Sequence, residues 1–371
     1  MPVRSVVQRS LLRYTVSRVL MRGNHVIGEA AVRAGCRFYA GYPITPQNEL
    51  TEYMAARLLD LDDGIFIQAE SELAAINMVM GASMAGTRAM TSSSSPGISL
   101  KQEGISFLSA MELPAVIVNM SRGGPGLGNI APSQSDYFQA TRGGGHGDYR
   151  NIVLAPNSVQ ELADLTMKAF ELADDYRTPV FILGDGMLGQ MMEPVEFLDC
   201  KRPRKEVSRE WTLTGARGRP SRIIRSLLLD PAVEEEHNWK LVRKYERIVQ
   251  NEVLYETFLL EDATMALIAF GTAARITKGA IIRAREKHIK VGMIRPITVW
   301  PFPSKTIREI GKTIRHFLVF ELNTGQMIED VRLALEGQGE VHFYGRPGGI
   351  IPTPLEISRV IASQYYQKRL G

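Results

Sequence analysis

The chain of 371 residues is long enough for two or three domains, and its 44% hydrophobic and 23% charged residues are typical of a globular protein. Its net charge of +4 comes without a basic run interleaved with aromatic residues, which argues against nucleic-acid binding, and no apolar segment reaches about 18 residues without charge, so no membrane span is predicted. The two cysteines, Cys36 and Cys200, cannot hold an iron–sulfur cluster, which usually needs about four thiolates, and they predict a reducing, cytoplasmic location.

Residues 1–20 differ from the rest of the chain because they contain no acidic residue and four arginines, Arg4, Arg9, Arg13 and Arg18. Such basic, amphipathic segments resemble transit peptides or helices that lie on a surface. We therefore predict a basic N-terminal extension ahead of a fold that begins near residue 21, and we regard it as a candidate for docking on a partner.

Between residues 21 and 195, segments with helical and strand patterns alternate. The apolar spacing predicts helices over 25–34, 49–59, from 71 onward, 102–109 and 158–174. Short apolar runs predict strands over 38–42, 65–68, 88–91, 115–119, 152–155 and 179–183, and residues 92–99 (SSSSPGIS) are expected to form a loop. This alternation indicates a doubly wound parallel α/β domain, in which ligands bind at the carboxyl ends of the strands.

The second half of the chain begins with a change of composition. Residues 196–262 form a charged linker, in which residues 231–262 are expected to make one long helical arm with charge pairs four residues apart. From 263 to 371 the alternation returns and predicts a smaller open-sheet α/β domain. Its strands are expected over 265–270, 290–294, 317–321 and 341–344, and its helices over 273–287, 304–310, 328–335 and 354–362.

The stretch from residue 64 to residue 86 joins a short strand to a helix with two acidic residues at its start. Ser71 is expected to cap this helix, which is apolar on all sides and should therefore be buried. Glu70 and Glu72 lie where the helix dipole favours a carboxylate. They are either a functional acid at the edge of the core or an ordinary acidic pair at a helix N-terminus.

Three loops carry further candidate residues. Thr45 lies in GYPITPQ, where flanking prolines either aim its hydroxyl or are purely structural. Arg122 opens the glycine-rich loop SRGGPGLGN, in which a guanidinium can bind a carboxylate through two parallel N–H bonds; the alternative is a flexible surface loop. His146 lies between glycines in GGGHGDY and is either a site residue or a structural histidine.

Taken together, the motifs of this chain resemble those of the alpha (pyrimidine-binding) subunits of 2-oxoacid:ferredoxin oxidoreductases. The resemblance extends in order over about residues 21–360. It rests on GYPITP, QAESELAAINMVMGAS, TSSSSPGISL, SRGGPGLGNIAPSQSDY, GGGHGDY, RPITVWPFP, ELNTGQM and GRPGG. The form of the SRGGPGLGN loop looks most like the branched-chain members, because the 2-oxoglutarate members more often continue with an STG-type sequence.

The resemblance implies that thiamine diphosphate is shared between two chains. Glu72 of this chain would hydrogen-bond to the aminopyrimidine ring of the cofactor. This ring then takes the proton from the carbon of the cofactor's thiazolium ring. Thr45, with its neighbours Pro43 and Ile44, would contact the cofactor ring or the substrate, and Ser95 and Gly97 of the serine-rich loop would contact the cofactor. The substrate carboxylate would meet Arg122, and the His146 loop would close over the site.

The same resemblance implies that a beta subunit holds the diphosphate and its Mg²⁺, so that no metal ligand is expected in this chain. The GDG of residues 184–186 agrees, because residues 208–216 (SREWTLTGA) lack the asparagine that accompanies this motif in thiamine-diphosphate proteins, and we predict a turn at a strand end. The 4Fe-4S clusters would lie on partner chains only. Gamma and ferredoxin-like delta subunits are the further partners implied.

The implied fold is a pyrimidine-binding α/β domain followed by a domain like the C-terminal domain of transketolase. The implied reaction oxidises a 2-oxoacid, 3-methyl-2-oxobutanoate, with coenzyme A to acyl-CoA, CO2 and reduced ferredoxin. The alternatives are a 2-oxoglutarate enzyme, a non-oxidative thiamine-dependent decarboxylase, and a non-enzymatic α/β binding protein in which Glu72 is only a helix-terminal acid.

Overall fold

The protein was analysed as a computed structural model, which describes residues 18–197 and 209–370. Most of the predicted basic extension and Cys200 lie outside the described residues. Arg18, at the first described position, forms an ion pair with Glu196 at 2.5 Å.

In residues 18–197 the elements are β1 (Val19–Arg22), α1 (Gly23–Arg33), β2 (Phe38–Gly41), α2 (Asn48–Leu59), β3 (Ile65–Gln68), α3 (Glu72–Met84), β4 (Ala89–Ser93), α4 (Ser95–Ala110), β5 (Ala115–Ser121), α5 (Tyr137–Thr141), β6 (Ile152–Leu154), α6 (Val159–Tyr176), β7 (Pro179–Asp185), α7 (Gly186–Gln190) and β8 (Met192–Val195). In residues 209–370 they are α8 (Pro231–Asn251), β9 (Tyr255–Phe258), β10 (Met265–Ile268), α9 (Gly271–Arg285), β11 (Val291–Pro296), β12 (Thr298–Trp300), α10 (Ser304–Gly311), β13 (His316–Glu321), α11 (Met327–Leu335), β14 (Glu340–Gly345) and α12 (Pro354–Leu370). Among the helices of these two ranges, none has the length and hydropathy to cross a bilayer.

The first sheet has the strand order β12-β6-β7-β5-β4-β2-β3. Strands β2 to β7 pair in parallel, and β5 and β7 are buried along their whole length. Parallel strands covered on both faces are apolar at nearly every position, which is why their sequences predicted them. The predicted α/β fold with a parallel sheet is confirmed.

The second sheet has the order β14-β13-β10-β11-β9, and its last strand corrects the prediction for the helical arm. The arm was expected to run as one helix to residue 262, but α8 ends at Asn251 and Tyr255–Phe258 pairs antiparallel with β11. Three of these four residues, Tyr255, Thr257 and Phe258, are aromatic or β-branched, types that favour a strand over a helix.

Two further predictions are corrected in the first half of the chain. Residues 92–99 are not a loop, because β4 continues to Ser93 and α4 begins at Ser95. Pro96 lies in the first turn of α4, where its fixed φ favours a helix and its missing N–H costs nothing. Helix α3 is buried on one face only, and Leu73 on the other face is 47% exposed. The described chain covers α3 from one side, next to the edge strand β3.

The two sheets are joined by a strand and by polar contacts. β12 follows the second sheet's β11 in sequence but pairs with β6 of the first sheet. The side chain of Gln134 accepts a hydrogen bond from Leu322 N at 3.0 Å and donates one to the carbonyl of Phe270 at 2.8 Å. Arg295, which is buried, donates two bonds to Glu161 at 2.7 and 2.6 Å. The Gln134–Leu322 contact joins the GNIAPSQSDY and ELNTGQM motifs across the interface between the sheets.

Candidate active site

The candidate residues gather where strands β2, β3, β4 and β5 of the first sheet end. The loop with Thr45 follows β2, the start of α3 follows β3, and the start of α4 follows β4. Arg122 comes directly after β5. The carboxyl ends of parallel strands lie at one edge of the sheet, which is where ligands bind in open α/β folds.

Glu72 is the first residue of α3. Ser71 caps the helix as predicted, because its hydroxyl accepts a hydrogen bond from Ala74 N at 3.2 Å. The side chain of Glu72 is buried, whereas Glu70 is exposed. No described residue donates a hydrogen bond to the Glu72 carboxylate, and its oxygens are not fully enclosed by the described chain. A buried carboxylate is costly without hydrogen-bond donors, so this arrangement fits a donor supplied from outside the chain.

Gly97 makes room for this carboxylate. A Cβ atom at position 97 would lie 2.0 Å from Ser93 Oγ and 2.5 Å from Glu72 Oε1, closer than any real Cβ contact. The Ser93 hydroxyl is itself buried and has no hydrogen-bond partner among the described residues. Any side chain at position 97 would therefore displace the Glu72 carboxylate or the Ser93 hydroxyl.

Arg122 is held in place beside Thr45. Its Nη1 donates to the carbonyl of Thr45 at 2.9 Å and its Nη2 to the carbonyl of Leu127 at 3.2 Å. The side chain is buried, and its Nε has no hydrogen-bond partner among the described residues. The guanidinium is thus fixed by two carbonyls and keeps N–H donors for an anion. Of the neighbours of Thr45, Pro43 is exposed and Ile44 is half-buried.

Ser95 belongs to a buried network that was not predicted. Its hydroxyl donates to Asp136 Oδ2 at 2.6 Å and accepts a bond from Arg122 N at 3.0 Å. Asn119 also donates to Asp136, at 2.9 Å, and burial raises the pKa of this acid. The network fixes the start of α4 relative to Arg122. The sequence signal for Asp136 is an acid among small polar residues directly before a helix.

The structure does not bring His146 to these residues. His146 is exposed, and its ring meets the ring of Phe107 edge-on, with 6.3 Å between the centroids. Phe107 lies ten residues beyond Gly97 in α4, or about 15 Å along the helix axis. The loop of His146 therefore covers the later turns of α4, and its role in substrate binding stays a prediction.

Lys101 is a buried residue that the sequence analysis missed. It is 0% exposed, and its Nζ donates to Thr91 Oγ1 at 2.9 Å. Burial lowers its pKa to about 7, and the charge of Glu72 acts in the opposite direction. The signal was present, because Lys101 continues the apolar spacing of Ile98, Ile105 and Leu108, all of which are buried.

The GDG motif ends a strand, as predicted. Asp185 is the last residue of β7, and its Oδ1 accepts bonds from Met187 N at 2.9 Å and Leu188 N at 3.2 Å. The side chain thus caps the short helix α7, and burial raises the pKa of its carboxyl.

Comparisons with known proteins concern the whole chain. The family model described as pyruvate flavodoxin/ferredoxin oxidoreductase, thiamine-diphosphate-binding, matches residues 29–256, and the core domain II model of pyruvate:ferredoxin oxidoreductase matches residues 263–357. The ketoisovalerate oxidoreductase subunit VorB of Methanothermobacter marburgensis is 50% identical over 92% of this chain and 96% of its own length. The 2-oxoglutarate synthase subunit KorA of Methanothermobacter thermautotrophicus is 37% identical over 92% of this chain and 97% of its own.

A solved structure is also similar over most of the chain. It is the 2-oxoglutarate:ferredoxin oxidoreductase of Magnetococcus marinus, with 2-oxoglutarate, coenzyme A and succinyl-CoA bound. It aligns with a TM-score of 0.85 and 27% identity, and the match covers 97% of this chain and 68% of that one.

Proposed function

Because the chain belongs to the pyruvate flavodoxin/ferredoxin oxidoreductase family and carries its thiamine-diphosphate-binding domain, we propose that it is the alpha subunit of an enzyme that oxidises 3-methyl-2-oxobutanoate. The products are the acyl-CoA, CO2 and reduced ferredoxin. The observation that carries the proposal is the buried Glu72 carboxylate, which lies against Gly97 without a hydrogen-bond donor among the described residues.

The residues around Glu72 fit thiamine diphosphate. When bound, the cofactor supplies the carbanion chemistry that releases CO2 from a 2-oxoacid. Glu72 would hold the cofactor ring through a hydrogen bond between its carboxyl and a ring nitrogen. Gly97 keeps the space in front of this carboxyl open. The Ser93 hydroxyl is a further donor available at the same place.

The substrate carboxylate would bind Arg122. Its two fixed terminal nitrogens and its unpartnered Nε present donors in one plane, the geometry that suits a carboxylate. The carbonyls of Thr45 and Leu127 hold the guanidinium in this position, and the Ser95 hydroxyl accepts a bond from the backbone N–H of Arg122. Thr45 thus contributes to substrate binding through its backbone. We retain His146 as a candidate that closes over the site only in the assembled enzyme.

The site is completed by a second chain, which we identify as the beta subunit. The exposed apolar residues Leu73 on α3, 47% exposed, and Leu100 on α4, 57% exposed, lie on the two helices that carry Glu72 and Gly97. Apolar surface beside an incomplete site is typical of a permanent interface. Asp185 of the GDG motif caps α7, which supports a site for the diphosphate and its Mg²⁺ on the partner.

The remaining parts of the proposal rest on what the resemblance to the family implies. The 4Fe-4S clusters lie on partner chains, gamma and ferredoxin-like delta subunits accompany the beta subunit, and the complex works in the cytoplasm. Within the chain, we divide the sequence into the extension 1–20, the pyrimidine-binding domain 21–195, the linker 196–262 and the second domain 263–371.

The substrate is proposed from the relatives. The VorB subunit, named for ketoisovalerate (3-methyl-2-oxobutanoate), is 50% identical to this chain, whereas the KorA subunit, named for 2-oxoglutarate synthase, is 37% identical. A 2-oxoglutarate enzyme is the second candidate, which the similarity to the Magnetococcus marinus structure favours.

The test uses the complete complex with Glu72→Gln and, as a matched control, Glu70→Gln. Both changes remove one carboxylate from the same helix terminus, but only Glu72 is buried beside Gly97. We expect Glu72→Gln to slow 3-methyl-2-oxobutanoate-dependent reduction of ferredoxin by at least about a hundredfold, in the range of lost general acid–base catalysis, and Glu70→Gln to leave it unchanged.

Each other outcome has a distinct meaning. Faster ferredoxin reduction with 2-oxoglutarate than with 3-methyl-2-oxobutanoate would favour the second candidate. Decarboxylation without reduction of ferredoxin would indicate a non-oxidative decarboxylase. Full activity of Glu72→Gln would contradict the assignment of the site.

A further inference from the structure

The ammonium group of Lys101 lies in the interior directly behind the candidate site. Lys101 is one helical turn beyond Gly97 in α4, and its side chain is completely buried. Its one hydrogen bond to a described residue is to the hydroxyl of Thr91, at 2.9 Å. Thr91 and Ser93 are two residues apart in β4 and so face the same side of the sheet, the side on which α4 carries Lys101 and Gly97.

Two buried acids lie near α4. Asp136 is hydrogen-bonded to Ser95 in the first turn of the helix, at 2.6 Å, and Glu72 is the acid whose charge acts on Lys101. Helix α3 contributes Glu72 as its one charged residue, and this carboxylate raises the pKa of Lys101 against the effect of burial. Strands β4 and β5 contain no charged residue. The one charged residue of β7 is Asp185, whose carboxylate accepts hydrogen bonds from two backbone N–H groups. On α4 itself, Glu103 is exposed.

The loop over the later turns of α4 brings no buried charge to Lys101. Its titratable residues Arg142, His146, Asp148 and Arg150 are exposed. Tyr149 is buried, and burial raises the pKa of its phenol, so it adds no charge; the loop contacts α4 at Gln102 and beyond. On the opposite face of the sheet, the hydroxyl of Tyr39 bonds to Ser92 at 2.6 Å, away from Lys101. Among the groups named, Glu72 is therefore the one whose charge opposes the effect of burial on the pKa of Lys101.

We propose that Lys101 is a positioning residue for Glu72: its buried ammonium group places a positive charge behind the Glu72 carboxyl, on the same side of the sheet, where the site must give up a proton. This role rests on the proposed function of Glu72. A positive charge next to a carboxyl favours every step in which the site gives up a proton, since the product of that step is more negative by one charge. Lys101 would thus favour loss of a proton from the bound cofactor for as long as its own ammonium group is charged.

The proposal has a particular pH signature. Burial lowers the pKa of Lys101 to about 7, so the ammonium is charged mainly below that pH. Removing the ammonium charge should slow loss of a proton from the cofactor at acidic pH. It should have little effect at alkaline pH, where the wild-type amine is neutral as well. A side chain that only filled space would act equally at all pH values.

The experiment measures exchange of the thiazolium C2 proton of thiamine diphosphate bound to the assembled complex. Samples are transferred to D2O, quenched in acid and analysed by proton NMR, so the readout does not depend on turnover. The variant is Lys101→Met, which keeps the length of the side chain and removes its charge. The matched control is Lys244→Met, a second buried lysine, which lies in α8 and bonds to Glu112 at 3.3 Å.

We expect exchange in Lys101→Met to be at least about threefold slower than in the wild type near pH 6 and equal to it near pH 8.5, since a neighbouring opposite charge shifts such titrations by about one unit or more. Lys244→Met should match the wild type at both. Thr91→Val, which removes the hydrogen-bond acceptor of the ammonium, is the second variant if Lys101→Met does not fold. It should slow exchange near pH 6 by a smaller factor and leave exchange near pH 8.5 unchanged.

Two results would overturn the proposal. Exchange in Lys101→Met that equals the wild type at every pH, or is slower by the same factor at every pH, would mean that Lys101 only packs. The proposed function fails separately: Glu72→Gln would then exchange as fast as the wild type, or the complex would not bind thiamine diphosphate, and the role of Lys101 would fall with it.

Discussion

An acidic residue at position 73 should prevent assembly of the complex while leaving this chain folded. Leu73 follows Glu72 directly and is 47% exposed. Asn77 and Gly81 lie one and two turns further along the same face of α3, and a Cβ at position 81 would meet no atom within 4 Å. This face therefore has open space beside the candidate site.

The size of the effect follows from the exposed fraction of Leu73. Burying a whole leucine side chain contributes about 1.5–3 kcal/mol, and roughly half of this one remains for a partner to cover, or about 1 kcal/mol. Leu73→Ala should therefore weaken assembly about fivefold. Leu73→Asp adds the cost of desolvating a carboxylate, several kcal/mol, so the total loss should exceed about a hundredfold.

The assay titrates this chain with the beta subunit and follows assembly by sedimentation velocity. Leu333→Asp is the matched control, because Leu333 is 74% exposed on α11, a helix that packs on β13 and β14 of the second sheet. Thermal unfolding by circular dichroism should be similar for all variants alone. Wild-type affinity of Leu73→Asp would mean that this face of α3 is not the interface, and equal losses at both positions would mean that the effect is not specific.

Two further predictions concern the interior of the site. Gly97→Ala should weaken binding of thiamine diphosphate to the complex by at least about tenfold, because the new methyl group would lie 2.0 Å from Ser93 Oγ and 2.5 Å from Glu72 Oε1; calorimetric titration measures this, and unchanged affinity would contradict the position of the carboxylate. The free energy of unfolding of the wild type, compared with that of Lys101→Met, should rise as the pH increases from about 7 toward 10.5. In this range the unfolded chain binds a proton at Lys101 that the folded chain, with its pKa lowered to about 7, does not, so stability increases with pH. The rise should be at most about 4–5 kcal/mol from a difference of about 3.5 pKa units; urea unfolding at several pH values measures it, and a pH-independent difference would count against the lowered pKa.

Local patterns predicted those elements whose neighbours impose a simple rule. Strand β6 and the first part of β5 are apolar because helices cover both faces of their sheet, so a short apolar run was sufficient evidence. The cap at Ser71 was also predictable, because a hydroxyl before an apolar helix has one common use. The start of α4 was missed since serines and a proline are as frequent in loops as at helix N-termini.

The candidate site could be predicted only in part, because its properties depend on residues that are distant in sequence. Glu72 was found through motifs. The surroundings of its carboxylate, however, are formed by Gly97 and Ser93, which belong to other elements of the fold. Lys101 continues an apolar pattern as a charged residue, and this conflict between pattern and residue type was the available sign of a functional position. The exposed face of α3 has no sequence signal, since an apolar helix looks the same whether its own chain or another covers it.

The three residues of β12 affect how the chain can be divided in the laboratory. Thr298 and Trp300 pair with Leu154 and Val153, so the outermost strand of the first sheet is encoded after most of the second sheet. A recombinant fragment ending at residue 262 would therefore present β6 as a bare edge with unpaired backbone groups, which promotes aggregation. The converse fragment would carry an unpaired strand of its own. We expect successful expression of either half to require β12 to be moved to the first fragment, which makes circular permutation a better route than truncation.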